Sequence, residues 1–87
     1  MDQLKIEIYG SVQGVGFRSF VKRNADKLGI KGYVRNSDDG SVLVIAQGDE
    51  KIMGVFLDKI KEGPGRIMEI KHSFENIENF SKLFKIL

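Results

Sequence analysis

The 87-residue chain has no cysteine, no tryptophan, one histidine and one proline. Without cysteine there is neither a disulfide nor a thiolate metal site, and a single histidine leaves little from which to build a histidine-rich one. No apolar run approaches the roughly 18 to 20 residues needed to span a bilayer. The alternating start MDQLKIEIYG lacks both the basic and the long apolar regions of a signal peptide. An excess of one charge is missing too, because 14 Lys and Arg stand against 12 Asp and Glu along the whole chain, a net +2. That balance gives no strong case for nucleic acid and mildly favours a small anionic ligand. The expectation is one compact, soluble, cytoplasmic domain over residues 1–87, with no membrane partner.

What the chain does contain is a clear change of hydrophobic period. Leu4, Ile6 and Ile8 alternate with Lys5, Glu7 and Tyr9, as in a strand with one buried face. From Phe17 the spacing becomes helical, with Phe17, Phe20, Val21, Ala25 and Leu28 inward and Gly29 as the stop. Two β-rich runs follow, separated by Ser37-Asp38-Asp39-Gly40; Asp-Gly there signals a hairpin, since primed turns need positive φ. Val42 to Ala46 is apolar on both faces, which predicts a central strand. Gly48-Asp49 opens a second helix with Ile52, Val55, Phe56 and Ile60 inward, closed by Gly63-Pro64-Gly65. Met68, Ile70, His72 and Phe74 then alternate through a fourth strand, and LFKIL can add a short edge strand. The order is βαββαβ, an α+β ferredoxin-like sandwich: an antiparallel sheet with both helices on one face and a short C-terminal edge strand.

Between the first strand and the first helix lies SVQGVGFR. Its successive backbone amides suit an anion nest, and the helix start adds unsatisfied N–H groups and the positive end of a dipole. Gly14 and Gly16 permit the backbone angles and close approach this needs, and Arg18 adds a planar fork of donors. The Lys-Ser/Thr pair of a Walker A loop is absent, and the glycines do not form a dinucleotide fingerprint. Glycine spacing alone suits a plain tight turn equally well. Asn36, at the end of the second strand, either starts the turn through its own backbone or, if that strand runs near the first loop, holds a water opposite the anion. Asp38 and Asp39 read first as a turn, His72 and the tyrosines as packing or edge residues, and Arg23 and Arg35 as solvated. No nucleophile motif is present.

Taken together, Gly10-Ser11-Val12-Gln13-Gly14-Val15-Gly16-Phe17-Arg18 and Gly32-Tyr33-Val34-Arg35-Asn36-Ser37-Asp38-Asp39-Gly40-Ser41-Val42 resemble the two signatures of the acylphosphatase family, at matching spacing on a chain of matching length. The resemblance implies hydrolysis of a carboxyl-phosphate anhydride, an acyl phosphate, to a carboxylate and inorganic phosphate, the latter also a competitive ligand. Arg18 and the amides of Val12, Gln13, Gly14, Val15, Gly16 and Phe17 would hold the phosphoryl oxygens, and Asn36 would orient the attacking water. Neither metal nor cofactor is expected.

Gly63-Pro64-Gly65-Arg66 and the tail Phe84-Lys85-Ile86-Leu87 depart from the family's Gly-Pro-Pro turn and aromatic-ended tail. Both are distant from the loop in sequence, so they are expected to bear on the final strand more than on the reaction. A non-catalytic anion-binding module is the main alternative. Such domains occur within larger carbamoyl-transfer maturation proteins, and the missing zinc-binding cysteines and extra domain favour a standalone enzyme. RNA-recognition motifs share the βαββαβ order, but Val42-Leu43-Val44-Ile45-Ala46 lacks their basic and aromatic pattern, so no nucleic acid is expected.

Overall fold

The structure is a computed structural model that describes residues 2–76 and 81–87. The elements are β1 (Asp2–Ser11), α1 (Phe17–Leu28), β2 (Lys31–Asn36), β3 (Val42–Gln47), α2 (Glu50–Ile60), β4 (Arg66–Asn76) and β5 (Phe84–Ile86). They form one five-stranded sheet in the order β4-β1-β3-β2-β5. The βαββαβ plan stands, and β3 is central as its two-faced apolar run requires. β1 to β4 pair antiparallel, whereas β5 runs parallel to β2, so the edge strand makes the sheet mixed.

Both helices pack on one face, because the alternate residues Leu4, Ile6 and Ile8 of β1 and Val42, Val44 and Ala46 of β3 share a buried cluster with Phe17, Val21 and Ala25 of α1 and Met53, Phe56 and Ile60 of α2. In α2 the inward stripe is Met53, Phe56 and Ile60. Val55, expected inside, is 43% exposed, since at 100° per residue it sits roughly 130° round from the stripe's centre. In β4 a register shift opposite Tyr9 and Gly10 breaks the expected alternation. Ile67 and Ile70 pack on the core, while Met68, the extra residue at the shift, is exposed, as a bulge redirects its neighbours; Phe74 keeps its register opposite Leu4 and is exposed on the edge strand.

The short β5 is held mainly by one side chain. Phe84 is 3% exposed and meets Phe56 edge to face, with ring centroids 6.2 Å apart. Main-chain bonds flank it, from Gly32 N–H to Leu83 O at 3.0 Å and from Leu87 N–H to Val34 O at 2.8 Å. Truncating a buried aromatic costs about 3–5 kcal/mol. Phe84→Ala should therefore lower the unfolding free energy by about that much, which urea denaturation will read as a lower midpoint at unchanged slope.

Candidate active site

The two helices begin differently, and the difference locates the site. Asp49 caps α2, its carboxylate accepting from Lys51 N–H at 2.9 Å, and Glu50 occupies the first turn. The positive end of that helix is already answered. α1 begins at Gly16, which has φ 82°, gives no side-chain cap and is followed by no acidic residue in the first turn. Its first intrahelical bond runs from Phe20 N–H to Gly16 O, leaving the amides of Phe17, Arg18 and Ser19 outside the ladder. Gly14 also lies at positive φ, 75°, so the loop turns twice through a region that glycine enters without a Cβ clash.

These amides open into a small cavity of about 110 Å³ lined by Val12, Gly14, Gly16, Phe17, Arg18, Ser19 and Ile86. Val12 and Phe17 are buried anchors at 1% exposure, and they fix the two ends of the exposed loop between them. Arg18 is half-buried, and its Nη1 donates to Leu87 O at 3.0 Å. The tail therefore reaches the loop, against the expectation that it lies apart from the reaction. The 63–65 turn folds back as well: a Cβ on Gly65 would stand 2.3 Å from Ser11 O and 2.9 Å from the Val15 side chain.

Asn36 is the last residue of β2 and pairs with Val42, so its side chain points to the helix-bearing side of the sheet. That is also the side on which α1 begins. Its Oδ1 is buried and has no hydrogen-bond partner among the described residues. Buried acceptors of this kind are few in folded proteins. The hairpin after it is not the two-residue primed turn expected from Asp-Gly, because no non-glycine residue among the described residues has positive φ. Instead Ser37 N–H donates to Ser41 O, Gly40 N–H donates to Ser37 O, and only Gly40 turns left-handed at φ 89°. Asp39 closes the turn, accepting at Oδ1 from Ser41 N–H at 3.0 Å and Ser41 Oγ at 2.5 Å, and these bonds hold its carboxyl below the usual range. The Asp38-Asp39 pair is thus a turn.

Gln13 joins the two halves. Its Nε2 donates to Ser37 O at 2.9 Å and to Ser41 O at 2.8 Å. The loop and the end of β2 are neighbours, as the water-holding alternative for Asn36 requires. Of the expected residues, Val12, Gly14, Gly16, Phe17 and Arg18 line the cavity, whereas Gln13, Val15 and Asn36 do not. Ser19 and Ile86 line it unforeseen. Ser19 was legible as the neighbour of Arg18 in the first turn; Ile86 was not, since only the parallel β5 pairing delivers it. A larger cleft of about 470 Å³, lined among others by Tyr33, Lys82, Lys85 and Leu87, holds none of the expected site residues. Among the described residues no three His, Asp or Glu side chains are grouped to hold a metal ion, and no helix is long and apolar enough to cross a membrane.

Comparison with known proteins adds a family to this geometry. A family model described as Acylphosphatase matches residues 4–86. The chain is 55% identical over 64 residues to an acylphosphatase of Thermotoga maritima, covering 74% of this chain and 71% of that protein. Its fold superposes on the crystal structure of acylphosphatase from Bacillus subtilis with a TM-score of 0.95 and 36% identity, covering 100% and 99% of the two chains. It also resembles part of a full-length HypF solved in a phosphate- and nucleotide-bound form, with a TM-score of 0.85 and 36% identity over 99% of this chain and 12% of that one.

Proposed function

The chain belongs to the acylphosphatase family and is an enzyme that hydrolyses acyl phosphates, and from that premise we propose how its residues divide the work. The phosphoryl group enters the cavity at the start of α1. Amides from Val12 to Phe17 surround its oxygens, and Arg18 adds a charge-assisted fork. The observation that carries this reading is the α1 terminus, which is glycine-capped, free of acidic residues in its first turn and open to the cavity that Arg18 lines.

Asn36 orients the water, using its buried Oδ1 to accept one of the water's O–H groups. The water oxygen then forms the new bond to phosphorus as the bond from phosphorus to the acyl oxygen breaks, and the acyl group leaves as a carboxylate. An amide side chain does not take up the proton, so it passes to a phosphate oxygen of the substrate. Because the carboxylate leaves readily, positioning and charge stabilisation carry the rate. The reading assigns no step to a metal or cofactor, inorganic phosphate is both product and competitive ligand, and neither nucleic acid nor a membrane takes part. The cysteine-free composition supports a cytoplasmic setting.

The test follows benzoyl phosphate hydrolysis by the purified chain, with and without EDTA, alongside inhibition by inorganic phosphate. The expected outcome is hydrolysis unchanged by the chelator and competitively inhibited by phosphate. A rate restored only by added divalent cation would refute the proposed chemistry, and phosphate binding without hydrolysis would favour the anion-binding module.

A further inference from the structure

We infer that the Gln13 side chain is a positioning residue that sets the distance between the anion loop and Asn36, an inference that rests on the water-orienting role given to Asn36 above. The two limbs of the site come from separate parts of the chain. The loop follows β1, whereas Asn36 sits at the mouth of the β2–β3 hairpin. A rate that depends on in-line attack is sensitive to their separation, because a misplacement of about 1 Å costs about 10²-fold.

Gln13 bridges that separation with a single atom. Its Nε2 carries two hydrogens, and two carbonyls receive them, Ser37 O at 2.9 Å and Ser41 O at 2.8 Å. Both acceptors being carbonyls, the amide orientation is determined: the oxygen could not replace the nitrogen. The same two carbonyls close the hairpin, since Ser41 O accepts from Ser37 N–H at 2.8 Å and Ser37 O accepts from Gly40 N–H at 3.1 Å. Gln13 therefore grips the hairpin's neck, and Ser37 is covalently next to Asn36. The side chain is exposed and does not line the cavity, so neither core packing nor contact with the anion accounts for this arrangement. Glutamate at this position would lack both donors and would face two carbonyl oxygens with its own charge; asparagine would be one methylene shorter.

The test uses Gln13→Met, which keeps the length and removes both donors, with Gln13→Glu as a second variant. Each is made in the wild-type and Asn36→Ala backgrounds. Expected is a kcat for benzoyl phosphate lower by about 10- to 100-fold, with the inhibition constant of inorganic phosphate within about threefold of the parent, because the loop amides are unaltered. In the Asn36→Ala background the same substitution should cost nothing further, since Gln13 acts through the residue already removed. Unchanged kcat in a folded Gln13→Met variant overturns the inference, as do losses that multiply in the double variant or a phosphate affinity that falls in step with kcat. Full activity in Asn36→Ala alone overturns the reading of Asn36 itself, and that outcome is seen without touching Gln13.

Discussion

Arg18→Ala should lower kcat/KM for benzoyl phosphate by about 10³-fold or more and weaken inhibition by inorganic phosphate. A positioned arginine acting on a transferring phosphoryl group is worth roughly 10³- to 10⁵-fold, and about 10³-fold corresponds to about 4 kcal/mol of transition-state stabilisation. The site offers no second cationic side chain in the cavity lining, so the remaining amides must answer the developing charge alone. Arg18 also has a structural bond to Leu87 O, and its loss should cost only about 0.5–1.5 kcal/mol of stability. Urea denaturation of the variant separates the two effects. Arg18→Lys keeps the charge without the planar fork and should recover only part of the rate. A folded Arg18→Ala variant within about tenfold of the parent, with phosphate inhibition intact, would remove Arg18 from the site.

Asn36→Ala should separate activity from stability. If Asn36 holds the water, kcat falls by about 10²- to 10³-fold, the range for losing one oriented hydrogen-bonding group, while KM changes little. The structural cost should be small, because no protein group among the described residues bonds the deleted Oδ1. No protein hydrogen bond is lost, so the variant should unfold within about 1 kcal/mol of the parent in urea. A variant that is less stable and loses KM and kcat together would show instead that Asn36 merely packs the end of β2.

The readability of the sequence followed the physics of each feature. Residues whose period reflects one buried face, such as Leu4, Ile6 and Ile8 or Val21 and Ala25, announced their elements, because burial repeats at the spacing of the backbone. The loop's two left-handed turns were legible because glycines mark them, at Gly14 and Gly16. Three features were not. Val55 and Met53 are both apolar in α2, and only the placement of the helix over the sheet decides which is buried. The break in β4 alternation depends on a register shift against β1, a property of two strands together. The reach of Ile86 and Leu87 to Arg18 depends on β5 pairing beside β2, some fifty residues earlier in the sequence. In each case the missing information was a partner and not a propensity. Gln13 is a fourth instance: its place in the motif drew attention to its main-chain amide, whereas its side chain makes the bonds that join the two limbs.

The parallel pairing of β5 also imposes an order of events on synthesis. Chains emerge from the N-terminus and fold by units, and here the four antiparallel strands and both helices are complete in sequence by residue 76. The loop, Arg18 and Asn36 all lie within residues 1–36, yet the Ile86 wall of the cavity and the Leu87 oxygen that accepts from Arg18 follow some fifty residues later. A ribosome carrying this chain therefore holds the proposed chemical groups some fifty residues before it holds the Ile86 wall and the oxygen that anchors the guanidinium.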